Sequence, residues 1–268
     1  MRAPAWVCTI DESPASAALA AALIAAAPAR GGLAVSEGSR PRALARVAQA
    51  CVRRGTAAVV ASERLCVGEH ELGVVREPSP GAAKVRLRDG RVELERNGNR
   101  SLGESAELLA AAPLLEAFER GAGLRWALLG VIHGRDPWAA SVDLSERRPS
   151  KAFEAGLARW FPGMVGKLGY SEAIGPQLGA TIHASVLLGA GATVDGVRDL
   201  LAAQADDGRS RWPRLQARPG FGSADCLGDA GLALDFDALV SAGPLIRIVG
   251  YFDPPALLAG DLLRRLAG

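Results

Sequence analysis

The order and period of the apolar segments predict an α/β start followed by an α+β body. Short apolar runs alternate with helical segments through about residue 54. From residue 57 the runs become short, β-like and separated by polar turns. Past residue 104 longer helices and strands alternate without a repeat. These features together mark a mixed chain.

Taken in order, residues 6–10 form a short apolar strand and residues 16–27 an alanine-rich helix, with Ser13 placed as its cap and Pro14 in its first turn. Residues 32–35 return as a strand, and 42–53 carry Leu44, Val47 and Cys51 on one helical side. Residues 57–61, 64–67 and 71–76 are strands, and Arg88-Asp89-Gly90 turns a hairpin between 85–87 and 91–94. A helix over 104–120, a strand over 126–133 and a helix over 150–160 follow, the last ended by Pro162-Gly163. Residues 179–188 alternate, with Thr181, His183 and Ser185 on one face and Ile182, Ala184 and Val186 on the other. A helix over 193–205, strands over 232–234 and 245–251, and a helix over 255–266 close the chain.

With 268 residues the chain can bury one large core or two small ones. A net charge of +2 and 5% aromatic residues argue against nucleic acid, so Arg40, Arg42, Arg46, Arg53 and Arg54 read as a solvated helix face. The uncharged run 13–29, bounded by Pro14 and Pro28, suits a buried helix better than a leader or a span of about 20 residues, so no membrane association is expected. Cys8, Cys51, Cys66 and Cys226 lack paired spacing, which points to a reducing cytoplasm and away from zinc or a disulfide framework. Arginine outnumbers lysine, present only as Lys84, Lys151 and Lys167; with the abundant alanine this suggests a GC-rich bacterial genome.

Several motifs occur in a shared order. They are Leu65-Cys-Val-Gly68 with Arg76-Glu77-Pro78, Ala112-Pro113-Leu114, Leu129-Gly-Val-Ile-His133, Phe161-Pro162 through Gly166-Lys167-Leu168, Gly191-Ala-Thr193, Ser223-Ala-Asp225, and Arg247-Ile-Val-Gly-Tyr-Phe-Asp253 before the final helix. In that order they resemble the phosphorylating glyceraldehyde-3-phosphate dehydrogenases. The resemblance implies a truncated Rossmann-like domain over residues 1–104. It further implies a dehydrogenase-like catalytic-type domain over 105–268, with a mixed, largely antiparallel sheet and helix 255–266 packing back on the first domain. His133 falls on the family's catalytic base.

The same resemblance shows what is missing. The Gly-rich cofactor turn is replaced by Asp11-Glu-Ser-Pro-Ala-Ser-Ala17, whose carboxylates would repel a pyrophosphate. Glu37 is the candidate for the ribose carboxylate, against a solvated turn. The nucleophilic cysteine falls on Ala106, and no thiohemiacetal forms on alanine. The asparagine that orients the nicotinamide falls on Pro254. The phosphate-binding motif falls near Ser150-Lys151-Ala152, and the phosphate arginine on Ile174. Neither NAD nor NADP is expected to bind.

The resulting expectation is a non-catalytic relative acting as a binding, assembly or regulatory subunit. One alternative is an enzyme reusing the cleft with His133 as base and Asp136, three residues on, as the group to orient it. Another is a divergent NAD(P)-dependent aldehyde oxidoreductase, which needs a thiol near His133; Cys226 is the cysteine to locate. His183 reads as an interface or solvated residue, His70 as a turn residue, and Asp225, Asp229 and Asp235 as turn formers, so no metal is expected. The chain lacks charge between Glu172 and Asp195, which predicts burial of the 179–188 strand against a second copy. Another dehydrogenase-like protein is the alternative partner.

Overall fold

The computed structural model describes residues 5–11, 13–27, 31–35, 40–61, 64–75, 81–88, 91–121, 123–134, 151–175, 177–189, 191–207, 210–236 and 238–267. The fold is mixed α/β, and it divides into one compact unit of residues 1–103 with 258–268 and another of residues 104–257.

In the first unit β1 (Trp6–Ile10), α1 (Pro14–Ala26), β2 (Gly31–Val35) and α2 (Arg40–Arg53) precede six strands. These are β3 (Ala58–Ala61), β4 (Arg64–Val67), β5 (His70–Val75), β6 (Ala83–Arg88), β7 (Arg91–Arg96) and β8 (Asn99–Ser105). The sheet runs β3-β4-β5-β2-β1-β6-β7-β8. Its centre is parallel, β1 lying between β2 and β6 and β2 beside β5. The flanks β3-β4-β5 and β6-β7 are antiparallel hairpins. Val7, Cys8 and Ile10 are all buried, as a central strand covered on both faces requires. Trp6 packs its ring over Gly31, where any side chain would collide with it. Within this unit Arg265 of the closing helix α6 (Pro254–Ala267) donates to Ser101 Oγ at 2.6 Å and ion-pairs with Asp261.

The second unit contains α3 (Ala106–Gly121), β9 (Leu124–Gly134), α4 (Lys151–Trp160), a 3₁₀ turn (Pro162–Met164) and β10 (Leu168–Gly175). Then come β11 (Ala180–Leu188), α5 (Val194–Asp206), β12 (Leu215–Ala217), β13 (Leu232–Leu234), β14 (Val240–Ala242) and β15 (Leu245–Phe252). The order is β10-β9-β11-β15-β13-β12, with β14 on β15. Only β10–β9 and β12–β13 are parallel. The segment β8, β10, β12 and β14 carry no clear alternation in the sequence, and none of the four is predicted from it.

Pleating gives this sheet two unlike faces. Ala127, Leu129, Val131, Ile182, Ala184, Val186, Ile246 and Ile248 are buried on one, where α3 packs on β9 and α5. The other carries Trp126, Leu128, His183, Ser185, Arg247 and Val249, all half-buried or exposed. No helix among the described residues is long and apolar enough to cross a membrane.

Candidate functional site

At the turn from β1 into α1 the chain supplies its own anion. Ser13 caps the helix, accepting from the Ser16 amide at 3.2 Å, and Pro14 opens the first turn. Asp11 Oδ1 accepts from the Ser13 amide at 2.8 Å and from the Ser16 hydroxyl. The donors that a bound anion would use are thus engaged by a carboxylate of the chain. Hydrogen bonding from Ser13, then from Ser16, holds the Asp11 carboxyl below its ordinary range. A depressed folded-state pKa means that the ionised form stabilises the fold. That contribution is complete above about pH 4 and disappears as the pH falls through the folded value, because the unfolded chain takes the proton first. Asp11→Asn is expected to lower the denaturant midpoint at pH 7 and to flatten the acid limb of stability below about pH 4. Identical acid limbs for the two proteins would refute this. Glu37 lies outside the described residues.

In the second unit β8 runs straight into α3. Ser105 is 1% exposed and its Oγ accepts from the Leu108 amide at 3.3 Å, so its hydroxyl serves as the helix cap rather than as a nucleophile. Ala106 follows as the first helical residue, buried. Glu107, next in the helix, gains from the positive end of its dipole.

On the helix-covered face of the sheet, His133 near the end of β9 points toward this turn. Its Nε2 lies 3.6 Å from Glu107 Oε1 and 3.8 Å from Glu172 Oε2. Tyr170 OH donates to Glu172 Oε1 at 2.8 Å and its ring stacks on Phe153 of α4 at 4.1 Å. Burial, then the charges of Glu107 and Glu172, push the Tyr170 pKa strongly up, so it remains a phenol donor. Glu104, 8% exposed, accepts from Trp160 Nε1 at 2.8 Å, while its Oε2 has no partner. Gln177 Nε2 ties the end of the sheet together, donating to Ile132 O and Thr181 Oγ1 at 2.9 Å each.

The structure therefore brings His133 and Ala106 to one end of the unit, and adds Glu107, Tyr170 and Glu172, which the sequence reading passes over. A signal for two of them exists: Tyr170 and Glu172, two apart in a strand, share a face. Ile174 is the register partner of His133 across β10 and β9, which leaves an apolar side chain where the resemblance puts a phosphate arginine. Lys151 and Ala152 open α4, and Pro254 opens α6. Ser150 and Asp136 lie outside the described residues.

Cys226 offers no ready thiolate. It is 1% exposed, donates to Ser223 O at 2.8 Å, and is pushed up to about 12 by burial and then by Asp253. His183 is half-buried, its Nδ1 lacks a partner, and burial followed by Arg247 lowers its pKa. His70 begins β5 and is exposed. Asp225 accepts from the Gly222 amide, and Asp229 from the Gly231 amide and Gln216. Among the described residues no group of three or more His, Cys, Asp or Glu side chains is placed to hold a metal ion. A separate open cavity of about 330 Å³ is lined by Gly191, Thr193, Gly196 and Leu200 and includes no residue of the His133 cluster. No protein-family model matches the chain, and no curated protein is significantly similar to it.

Proposed function

We propose that this chain is a shortened glyceraldehyde-3-phosphate dehydrogenase-like protein that acts by binding, as an assembly or regulatory subunit, and not by thiol-dependent oxidation of an aldehyde. The observation that carries the reading is the start of α3. There a buried Ala106 occupies the helix position at which the thiolate of that chemistry would be stabilised, with His133 nearby but facing carboxylates. The parallel order β5-β2-β1-β6 supports kinship with a nucleotide-binding half-domain, and Asp11 at the β1–α1 turn argues that nucleotide binding is gone. The cleft is also wrong for a phosphate ester, since Glu107 and Glu172 replace positive charge with negative. Assembly with a second copy belongs to the same proposal and rests on the sheet face left exposed among the described residues.

Calorimetric titration with NAD and NADP tests it. No saturable heat is expected up to millimolar nucleotide, and Ala106→Cys is expected not to restore oxidation of glyceraldehyde 3-phosphate in the presence of phosphate. Micromolar affinity for either nucleotide, or turnover by the Ala106→Cys variant, would show that the old site is intact and overturn the reading.

A further inference from the structure

We infer that Arg159 and Arg211, held on the indole of Trp160, form a docking site for a carboxylate-rich segment of a partner protein. The inference rests on the binding role proposed above and names the surface and the chemistry of a partner. The Arg211 guanidinium carbon lies 3.5 Å from the centre of the Trp160 ring and 4.7 Å from that of Trp212. The Arg159 carbon lies 4.5 Å from the centre of the same Trp160 ring. Both arginines are exposed, and among the described residues neither meets a carboxylate within 4 Å. A guanidinium stacked on a ring uses its face and keeps the N–H donors of its edge for another partner. Two like charges on one ring repel, and no ion pair within the described chain offsets that repulsion. Carboxylates brought from outside satisfy both cations at once.

The ring beneath them is fixed from below. Trp160 Nε1 donates to the buried Glu104 at 2.8 Å, and its ring meets Trp212 edge-on at 5.9 Å. Trp212 is itself buried and stacks on Phe161 at 5.6 Å. Ser210, just before Arg211, donates to Glu116 at 3.1 Å and accepts from the Trp212 amide at 3.2 Å. Both arginines thus leave from anchored backbone, Arg159 from the last turn of α4 and Arg211 from the pinned Ser210–Trp212 segment. Cations held in place in this way lose little freedom on binding. Their guanidinium carbons are no further apart than their two distances from the shared ring centre together. Acidic side chains that neighbour each other on one face of a helix or strand, about 5–7 Å apart, bridge that span. The surface is open, since the 330 Å³ cavity includes neither arginine, so affinity has to come from extended contact with a protein segment and not from enclosure of a free anion. Arginine and tryptophan are the side chains that most often anchor protein interfaces. Phe153 of α4 stacks on Tyr170, whose register partner is the buried Leu129, so this surface lies on the helix-covered side, away from the sheet face proposed for the second copy.

The test is fluorescence anisotropy of a labelled hexaglutamate peptide titrated with the protein at low salt, against a single-stranded oligonucleotide of equal charge. Saturable binding of the peptide is expected with a Kd below about 100 μM. Arg159→Ala and Arg211→Ala should each weaken it by about tenfold or more. Arg100→Ala removes the same charge from the first unit, where Arg100 is paired with Glu95, and should leave binding unchanged. Arg159→Ala, at the exposed end of α4, serves if Arg211→Ala does not fold. The inference is overturned if the peptide does not bind up to about 1 mM, if Arg100→Ala weakens it as much as Arg159→Ala does, or if the oligonucleotide binds more tightly than the peptide. Failure here while neither NAD nor NADP binds removes this surface alone; nucleotide binding removes the proposed function itself.

Discussion

Light scattering at micromolar concentration is expected to give about twice the 27.7 kDa of the single chain, and Leu128→Arg is expected to return it to the single-chain mass. The reason lies in the face of the second unit's sheet on which no helix among the described residues packs. Trp126, Leu128 and Leu245 there are 40%, 41% and 39% exposed, and Val240 at the side is 55% exposed. Between Leu128 and Ile132 of β9 and between Thr181 and Leu187 of β11 that face carries no Asp, Glu, Lys or Arg, and β15 adds Arg247. A sheet face kept in water usually alternates apolar with charged residues, and this one does not. Leu128 sits at its middle, opposite Ser185 on β11 and Gly169 on β10. An arginine there stays solvated in the separate chain but is buried without a partner at a two-fold interface, twice over, at a cost of about 3 kcal/mol or more. Thr181, the residue the alternation suggests as a handle, is a poor one. It is 5% exposed within its own chain and bonded to Gln177, so an arginine there disrupts the fold before it tests the interface. A wild-type mass near 27.7 kDa, or a Leu128→Arg variant that keeps the doubled mass, sinks the proposal.

Gly134→Ala is expected to cost about 3–5 kcal/mol, which for a chain of this size lowers Tm by roughly 6–20 °C. Gly134 directly follows His133, and its Cα lies against the backbone of the turn that starts β11. A methyl group there would overlap Gly179 O and stand 2.5 Å from Gln177 O and 3.0 Å from Gly179 N. These are main-chain atoms, and no rotamer change relieves the overlap. Gly179 in turn is fixed at φ +69° and packed on Ser223 O and Cys226 Sγ, so the turn has nowhere to retreat. Gly191→Ala is the control. At φ +90° with nothing within 4 Å, it carries only the left-handed backbone strain, about 1–2 kcal/mol. Equal losses in the two variants would mean that the collision at Gly134 is relieved by a small backbone shift and that the packing of β9 on the β11 turn does not decide the outcome. Because Gln177 also bonds Ile132 O, a collision at Gly134 should displace His133 as well.

Much of the local structure was legible in the residues. Ser13 and Pro14 set the start of α1, the alternation through Val186 set both faces of β11, and the Phe161-Pro162-Gly163 run ended α4. These are features of period and capping, which the chain encodes within a few residues. His133 at a strand end and Ala106 at a helix start were legible in the same way, once the order of the motifs was aligned with the dehydrogenases. What joins them was not. Glu172 reaches His133 because β10 runs parallel to β9 in a register that pairs Glu172 with Val131 and Ile174 with His133. That register is set by the crossover through α4 and by which face is buried, and neither is written in the glycine-bearing segment Leu168–Gly175. Glu104 reads as the first residue of a helix, yet it is the last but one of β8, and with the helix starting two residues later its carboxylate is buried against α4. The sequence by itself determined most of the elements, the apolar faces and an alanine at residue 106. Only the tertiary structure decided that Glu107, Glu172, Tyr170 and His133 meet at the start of α3, because side chains distant in sequence acquire neighbours only when strand register and helix packing are fixed.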